Sequence, residues 1–361
     1  MVEIPRSLRA IDAGWLTDAL REAGHDAPAV DAVSFEPMSG VVGGIGEVGV
    51  LSITFGGATD LPAKMVGKCP LDHESARQYD KILQFYRREA GFYRDLAHAV
   101  PMRVPQCFLN LHNGDDTVLL LECIEGGVDG DILAGTSFAS MERLVADLAR
   151  LHGRYWMDPQ LADLDWVLDW STPSFLNGIP LVQQAWPVVN ARRPDLYPAD
   201  LARVCESYMN DSTRWLEAMT VRPWTFVHGD YELDNVIFTD DDAVILDWQG
   251  CMRSFPGFDL GWALAASASP ETVARESELL DTYRRVLVES GGPVWSADDL
   301  LDDLAWSMMY YASGSTVPTM QDYAGLGPQG ERLVRRFEAF LERCVAAALR
   351  WEVPERIGPL V

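Results

Sequence analysis

The chain has 361 residues, and 48% of them are hydrophobic, which is enough to bury a sizeable core and favours two lobes over one ordinary domain. Its formal net charge of −25 argues against nucleic acid or anionic lipid as a partner, because binding to a polyanion needs a basic surface. No apolar stretch reaches the roughly 18 residues of a membrane span and residues 1–6 lack the apolar core of a secretory signal, so we expect no membrane insertion and a cytoplasmic location.

The first third of the chain has the pattern of a β-rich unit that also contains helices. A helix is predicted over 7–24, and a single long amphipathic helix is predicted over 75–97. A glycine run at 40–46 opens an antiparallel meander. Strands are predicted at 48–55, 63–68, 107–111 and 117–122.

Helical patterns dominate the rest of the chain. Helices are predicted at 141–155, 199–219, 271–290, 297–313 and 330–351. A short β-rich interval at 226–248 lies among them. Two unlike lobes joined by a hinge are therefore expected: an N-lobe of residues 1–122, a hinge at 123–127 and a helical C-lobe at 128–361.

The strongest chemical pattern runs from Val227 to Phe238 and continues at 244–249. Phosphoryl transfer needs a carboxylate that accepts the proton of the attacking hydroxyl, and it needs oxygen ligands for Mg²⁺. Asp230 suits the first role as the catalytic residue. Asn235, five residues later, and Asp247, at the end of an apolar strand pattern, suit the second as metal ligands.

The triplet His228-Gly229-Asp230 with Asn235, and the triplet Asp247-Trp248-Gln249, resemble the H-[RG]-D-x-x-x-x-N and D-[FW]-[GQ] signatures of protein-kinase-like phosphotransferases. With glycine at 229 and Trp248-Gln249 after the second aspartate, the pattern is more similar to that of the aminoglycoside and choline kinases, and especially to that of the ecdysteroid-kinase-like branch. The resemblance implies a protein-kinase-like bilobal α+β fold with a small β-rich N-lobe and a larger, mainly helical C-lobe. It also implies ATP and Mg²⁺ as cofactors and a small-molecule alcohol as the acceptor.

The same resemblance assigns supporting roles outside the catalytic pattern. His228 resembles a residue that braces the loop, Asp259 resembles a structural aspartate, and His152 is interpreted as a packing or bracing residue.

In this fold a lysine on a strand contacts the α- and β-phosphates and is held by a glutamate of the following helix. We assign these places to Lys68 and to Glu89, which lies in a segment, Arg88-Glu89-Ala90-Gly91-Phe92-Tyr93, similar to the family's RE-x-x-FY. Lys64 is the alternative lysine, and either lysine alone would also be compatible with a solvated surface charge.

Two further segments are predicted to bind nucleotide. Gly43, Gly44 and Gly46 precede a strand and would let the backbone approach the phosphates, although a glycine-rich hairpin is often only a turn. The main chains of Glu122 and Ile124 resemble the hinge segment that hydrogen-bonds the adenine edge.

The sequence therefore predicts an ATP- and Mg²⁺-dependent small-molecule kinase, with two alternatives. One is a nucleotide-binding or ligand-binding pseudokinase without turnover, and the other is a metal-dependent hydrolase with His228, Asp230 and Asp247 as ligands. The acceptor is left open. Six aromatic residues either line its pocket or pack in the core: Trp166, Trp170, Trp186, Trp306, Tyr310 and Tyr311.

Overall fold

In the computed structural model, the first 122 residues contain a five-stranded sheet and the remainder is mainly helical, which is the bilobal α+β arrangement predicted from the sequence. The structure describes residues 2–38, 46–114, 116–173, 175–176, 183, 186–189, 191, 193–240, 242–313 and 327–361.

The N-lobe sheet is antiparallel throughout, with strand order β1-β2-β3-β5-β4. Its strands are β1 (Val30–Pro37), β2 (Gly46–Phe55), β3 (Lys64–Pro70), β4 (Cys107–His112) and β5 (Thr117–Glu122). Strands β2 and β3 form the predicted meander, and β1 adds a strand that the sequence analysis did not anticipate. In the register of the sheet, Lys68 lies opposite Val48 on one side and Leu119 on the other.

Strand β5, which lies between β3 and β4, separates two hydrophobic cores. Val118 and Leu120 pack in the smaller core, which also contains residues of helix α1 (Ala13–Glu22). Leu119 and Leu121 belong to the large core that continues into the C-lobe. Successive side chains of a strand point to opposite faces, so a strand covered on both faces reads as the unbroken apolar run found here.

The predicted long helix over 75–97 is wrong in one respect, because the structure has two helices, α2 (Glu74–Leu83) and α3 (Phe85–Asp95). Gln84 separates them in a left-handed conformation, with φ of 53°. The Asp80 carboxylate accepts a hydrogen bond from the amide of Tyr86 at 3.1 Å and so satisfies one of the free amides at the start of α3. Capping by a side chain does not change the spacing of the apolar residues, so the sequence pattern predicted one continuous helix.

The C-lobe is built from helices that pack around the large core. They are α4 (Phe138–Arg154), α5 (Ala199–Asn210), α6 (Ser212–Thr220), α7 (Gly257–Ala266), α8 (Pro270–Ala274), α9 (Glu276–Glu289), α10 (Ala297–Ala312), α11 (Gly327–Arg350) and α12 (Val353–Arg356). The predicted helices at 199–219 and 271–290 are each divided in two, at Asp211 and at Arg275. Within the described ranges, no helix is both long and apolar enough to cross a membrane.

Short strands in the C-lobe hold the loops that carry the chemical pattern. They are β6 (Val128–Asp129), β7 (Thr225–Val227), β8 (Val236–Phe238), β9 (Ala243–Ile245) and β10 (Met252–Ser254). β8 pairs with β6 and β9, and β7 pairs with β10. The sheet of the N-lobe ends with β5 at Glu122 and the first strand of the C-lobe begins at Val128, so residues 123–127 connect the two. The exact lobe boundaries stay a prediction.

Helix α3 depends on a glycine for its packing. A Cβ atom at Gly91 would lie 2.3 Å from the ring of Trp166, which is fully buried. We predict that Gly91→Ala lowers the free energy of unfolding by about 1–3 kcal/mol, since overpacking outweighs the better helix propensity of alanine. Urea denaturation measures this, with Gly14→Ala in the exposed first turn of α1 as the control that should lose no stability. A Gly91→Ala variant as stable as the wild type would contradict the packing account.

Candidate active site

The predicted catalytic residue, Asp230, is held by two side chains and lines a cavity. Its Oδ1 atom accepts a hydrogen bond from Nε1 of Trp262 at 3.1 Å, and its Oδ2 atom accepts one from Nδ2 of Asn235 at 3.1 Å. The same amide nitrogen donates to the main-chain oxygen of Asp230 at 2.8 Å. The structure thus brings Asp230 and Asn235 together, and it adds Trp262, which the sequence analysis missed although it lies one helical turn after Asp259 on α7.

Backbone geometry explains why glycine occupies position 229, where the His-Arg-Asp triplet has arginine. Gly229 has φ of 85°, a left-handed conformation that L side chains rarely adopt. A Cβ atom there would also lie 2.0 Å from the carbonyl oxygen of Gly250. The segment after Asp247 therefore packs directly on the backbone next to Asp230.

His228 links the backbones of both motif aspartates. Its Nε2 atom lies 2.8 Å from the carbonyl oxygen of Leu246, which can only accept, so Nε2 carries the ring proton. Its Nδ1 atom then accepts from the amide of Asp230 at 3.2 Å. This contact pattern is that of a bracing residue and involves no solvent-accessible ring nitrogen, because His228 is fully buried.

Asp259 fixes the start of the loop from α7. Its two carboxylate oxygens accept hydrogen bonds from the amides of His228 and Gly229 at 2.6 and 2.8 Å. His152 lies beside it, with Nε2 at 3.5 Å from the Asp259 carboxylate and Nδ1 at 2.7 Å from the hydroxyl of Tyr283. The side chains of Asp259, His152 and Tyr283 are buried, so the loop is anchored to the core of the C-lobe.

Lys68 lies between two carboxylates and joins the lobes. Its Nζ atom is 2.7 Å from Oε1 of Glu89 on α3 and 2.7 Å from Oδ1 of Asp247 in the C-lobe. Burial alone would lower the pKa of Lys68, but the Asp247 and Glu89 carboxylates outweigh it, so the pKa is raised and the ammonium is charged. Lys64, the alternative, is half exposed and pairs with Glu125 at 2.6 Å, away from Glu89 and Asp247.

Asp247 is positioned by its own backbone. It follows β9 with φ of 59°, which for a residue other than glycine is a strained conformation that clusters at functional sites. Its Oδ2 atom accepts a hydrogen bond from Nε2 of Gln249 at 3.1 Å. Gln249, two residues after Asp247, therefore helps to orient the Asp247 carboxylate.

The oxygen atoms present here fit a magnesium ion. Magnesium prefers carboxylate and amide oxygens, and the Asp247 carboxylate and the Asn235 side-chain oxygen are of this kind. Because Nδ2 of Asn235 is directed at Asp230, its Oδ1 atom is left free of hydrogen bonds within the described ranges. The alternative hydrolase site does not fit, since both ring nitrogens of His228 are already engaged.

The structure describes only some of the other residues that are predicted to bind nucleotide. Gly43 and Gly44 lie outside the described residues, whereas Gly46 opens β2 opposite Pro70. Glu122 ends β5 opposite Met65, and its side chain pairs with Arg103. The main chain of Ile124 makes no hydrogen bond within the described ranges, which leaves it available to a ligand.

A cavity of about 340 Å³ opens beside Asp230 and is strongly aromatic. Three of the six aromatic residues singled out from the sequence, Trp170, Tyr310 and Tyr311, line it. The other three, Trp166, Trp186 and Trp306, are buried in the large core.

Helix α11, on which the sequence analysis found no motif, contributes a charged residue to the cavity. Arg336, on α11, pairs with the buried Glu232, and its Nε atom lies 3.0 Å from Asp234. Burial raises the pKa of Asp230, and the Arg336 guanidinium opposes that rise. Burial also raises the pKa of Glu232, to about 8. The sequence analysis missed Arg336, because the last hundred residues show helical character alone.

Comparison with known proteins agrees with the fold and with the motif. A sequence profile described as the phosphotransferase enzyme family matches residues 70–301, which is more than half of the chain. The match includes Glu89, Asp230, Asn235 and Asp247 but neither Lys68 nor Arg336. No curated protein sequence is detectably similar to the chain.

Two solved structures are similar in fold. One is a microcompartment-associated aminopropanol kinase, with a TM-score of 0.50 and 14% identity, covering 94% of this chain and 98% of the other. The other is a choline kinase from Cryptosporidium parvum Iowa II, with a TM-score of 0.53 and 12% identity, covering 91% of this chain and 92% of the other. At such low identity these similarities show the fold, and they confirm its protein-kinase-like class.

The contact between Gly229 and Gly250 can be tested directly. We predict that Gly229→Ala displaces the loop around Asp230 and lowers both the melting temperature and any activity of the protein, because the added Cβ atom meets a backbone carbonyl that cannot rotate away. Gly114→Ala is the matched control, as Gly114 also has positive φ, 102°, but its Cβ atom would meet nothing within 4 Å. Equal effects of the two substitutions in calorimetry would show that only backbone strain matters.

Proposed function

This chain belongs to the phosphotransferase enzyme family, and we propose that it transfers the γ-phosphoryl group of ATP to a hydroxyl group of a small molecule in a Mg²⁺-dependent reaction. The observation that carries the proposal is the position of Asp230. It is a carboxylate on the wall of a cavity, with both oxygens oriented, beside a lysine–carboxylate cluster suited to phosphates.

Asp230 would act on the acceptor. The acceptor hydroxyl donates a hydrogen bond to the Asp230 carboxylate, and its oxygen forms the new bond to the γ-phosphorus. The bond between that phosphorus and the bridging oxygen of ATP breaks, and its electron pair leaves with ADP. The hydroxyl proton passes to Asp230, whose raised pKa suits a group that must accept a proton near neutral pH.

Lys68 and the metal ligands would act on the nucleotide. Lys68, kept charged by Glu89, supplies an ammonium for the phosphate oxygens. Asp247 and Asn235 would hold Mg²⁺, which supplies charge neutralisation for the phosphates. His228 and Asp259 keep the backbones of Asp230 and Asp247 in one arrangement, so little reorganisation is needed during the reaction.

A pseudokinase is the alternative that the site itself keeps open. Nucleotide binding would use Lys68, Glu89 and the metal ligands, but it gives no role to an oriented carboxylate on the wall of a cavity. Mg²⁺-dependent ADP release that appears only with an alcohol acceptor separates the two functions. ADP release from none of a broad panel of hydroxylated metabolites would favour the pseudokinase.

The choice of Lys68 over Lys64 gives a prediction for nucleotide binding. Lys68→Met removes the buried ammonium, so the Kd for Mg²⁺ and a non-hydrolysable ATP analogue should rise by at least about tenfold, the loss expected for a charge-assisted contact. Lys64→Met, which removes an exposed charge of the same strand, should leave the Kd unchanged. Isothermal titration calorimetry measures both, and the reverse order of effects would identify Lys64 as the phosphate ligand.

The two motif aspartates should fail in different ways. Asp230→Asn keeps the volume but removes the proton acceptor, so turnover should fall by at least about 10²-fold while nucleotide affinity survives. Asp247→Asn weakens a metal ligand and should lower both nucleotide affinity and turnover.

Calorimetric titration with the same nucleotide analogue, with and without Mg²⁺, distinguishes these effects. Gln249→Ala is an informative third variant, because it removes a hydrogen bond to Asp247 without removing the carboxylate. Full activity of Asp230→Asn would refute the proposed role of Asp230. Wild-type affinity of Asp247→Asn in the presence of Mg²⁺ would remove Asp247 from the metal site.

A further inference from the structure

The cavity beside Asp230 contains one buried cation whose charge is not balanced by a carboxylate. Arg88, on α3, is 2% exposed and lines the cavity. Its Nη1 atom donates to the carbonyl oxygens of Gly250 and Cys251 at 3.1 and 3.5 Å. No carboxylate of the described residues lies within 4 Å of its guanidinium. Arg336 on α11, in contrast, pairs with Glu232 and Asp234.

The free part of Arg88 is one edge of its guanidinium. Phe85 covers one face, with its ring centre 5.0 Å away, and Phe175 lies 5.6 Å away. Neither Nε nor Nη2 has a hydrogen-bond partner among the described residues. Of these two nitrogens Nε is inaccessible to solvent, whereas Nη2 is not, so Nη2 is the nitrogen that a carboxylate in the cavity can approach.

An unbalanced buried charge is unfavourable, which makes a ligand at this edge physically reasonable. Burial lowers the pKa of Arg88 to about 10, so the side chain is still charged at neutral pH. A buried donor without a partner destabilises the protein, and a negatively charged ligand would remove this penalty.

A backbone contact places Arg88 near the proposed reaction centre. The carbonyl oxygen of Gly250 that receives Nη1 of Arg88 is the oxygen that packs on Gly229, the neighbour of Asp230 in the chain. Between these groups the cavity wall is apolar, with nine aromatic side chains among its lining residues. A volume of about 340 Å³ accommodates a small molecule built around one ring system.

We propose that the acceptor is a small hydroxy acid with an apolar, ring-containing body, whose carboxylate binds Arg88 while its hydroxyl faces Asp230. This inference rests on the proposed function for the role of Asp230. A net charge of −25 would in general attract a cation, but the acidic residues of the cavity wall are engaged. Glu232 is paired with Arg336, and Asp230 has its place in the chemistry.

The test uses three acceptors of the same shape and different charge: para-hydroxymethyl benzoate, its amide, and the corresponding benzylammonium. For the wild type with saturating Mg²⁺ and ATP, kcat/KM for the carboxylate should exceed that for the amide by at least about tenfold, and the ammonium should be the poorest acceptor. Arg88→Met should abolish this preference by lowering the value for the carboxylate far more than that for the amide. Arg88→Lys should keep part of it, because lysine retains the charge without the planar guanidinium.

Arg94→Met is the matched control, since Arg94 is an exposed arginine of the same helix that pairs with Asp95, and it should behave as the wild type. Because Arg88 also holds the backbone of residues 250 and 251, circular dichroism must show that Arg88→Met is folded. If it is not folded, the acceptor series on the wild type and Arg88→Lys decides. A wild-type preference for the amide or the ammonium would overturn the inference, as would an equal loss for all three acceptors in Arg88→Met.

Binding separates this inference from the proposed function. Thermal shift with the three acceptors, in the presence of Mg²⁺ and a non-hydrolysable ATP analogue, reports recognition without turnover. Carboxylate-selective stabilisation that requires Arg88, without ADP release from any of the three, would support the carboxylate site and count against the kinase activity. ADP release without carboxylate preference would do the reverse, and no stabilisation of the wild type by any of the three would count against the carboxylate site.

Discussion

Lys68 and its two carboxylates are the interaction on which the arrangement of the site depends. A buried ammonium is tolerated only with close counter-charges, and here they come from Glu89 on α3 and from Asp247 in the C-lobe, each at 2.7 Å. The sheet, helix α3 and the loop that carries Asp247 are therefore coupled through one atom, Nζ of Lys68. Removing one partner of such a cluster typically costs about 3–5 kcal/mol, because it leaves the other charges uncompensated.

In the C-lobe, the loop that carries Asp230 is held by hydrogen bonds between its backbone and buried side chains. Asp259 binds the two amides that precede Asp230, and His228 connects the backbone of Asp230 to that of Leu246, next to Asp247. Gly229 allows the chain to approach Gly250 closely enough for this network to form. The result is a loop whose backbone is anchored to the core of the C-lobe, so the Asp230 and Asp247 carboxylates are positioned before any ligand arrives.

The fold and the centre of the site could be predicted from the sequence because both depend on local patterns. Apolar periodicity indicated most helices and strands, and the spacing of Asp230, Asn235 and Asp247 placed three oxygen-bearing side chains in one region. The break at Gln84 was missed because the capping by Asp80 does not disturb that periodicity. Trp262, Arg336 and the free edge of Arg88 depend on contacts between distant segments, for which one sequence provides no signal.

The central claim is that a phosphoryl group passes from ATP to an alcohol oxygen with Asp230 as the proton acceptor. It is tested most directly by incubating the protein with Mg²⁺, ATP and an alcohol labelled with heavy oxygen in its hydroxyl group, and by analysing the products by mass spectrometry. The account predicts a phosphate monoester that retains the labelled oxygen, formed by the wild type and at least about 10²-fold more slowly by Asp230→Asn. Unlabelled inorganic phosphate as the only phosphorylated product besides ADP, released equally without the alcohol, would contradict it.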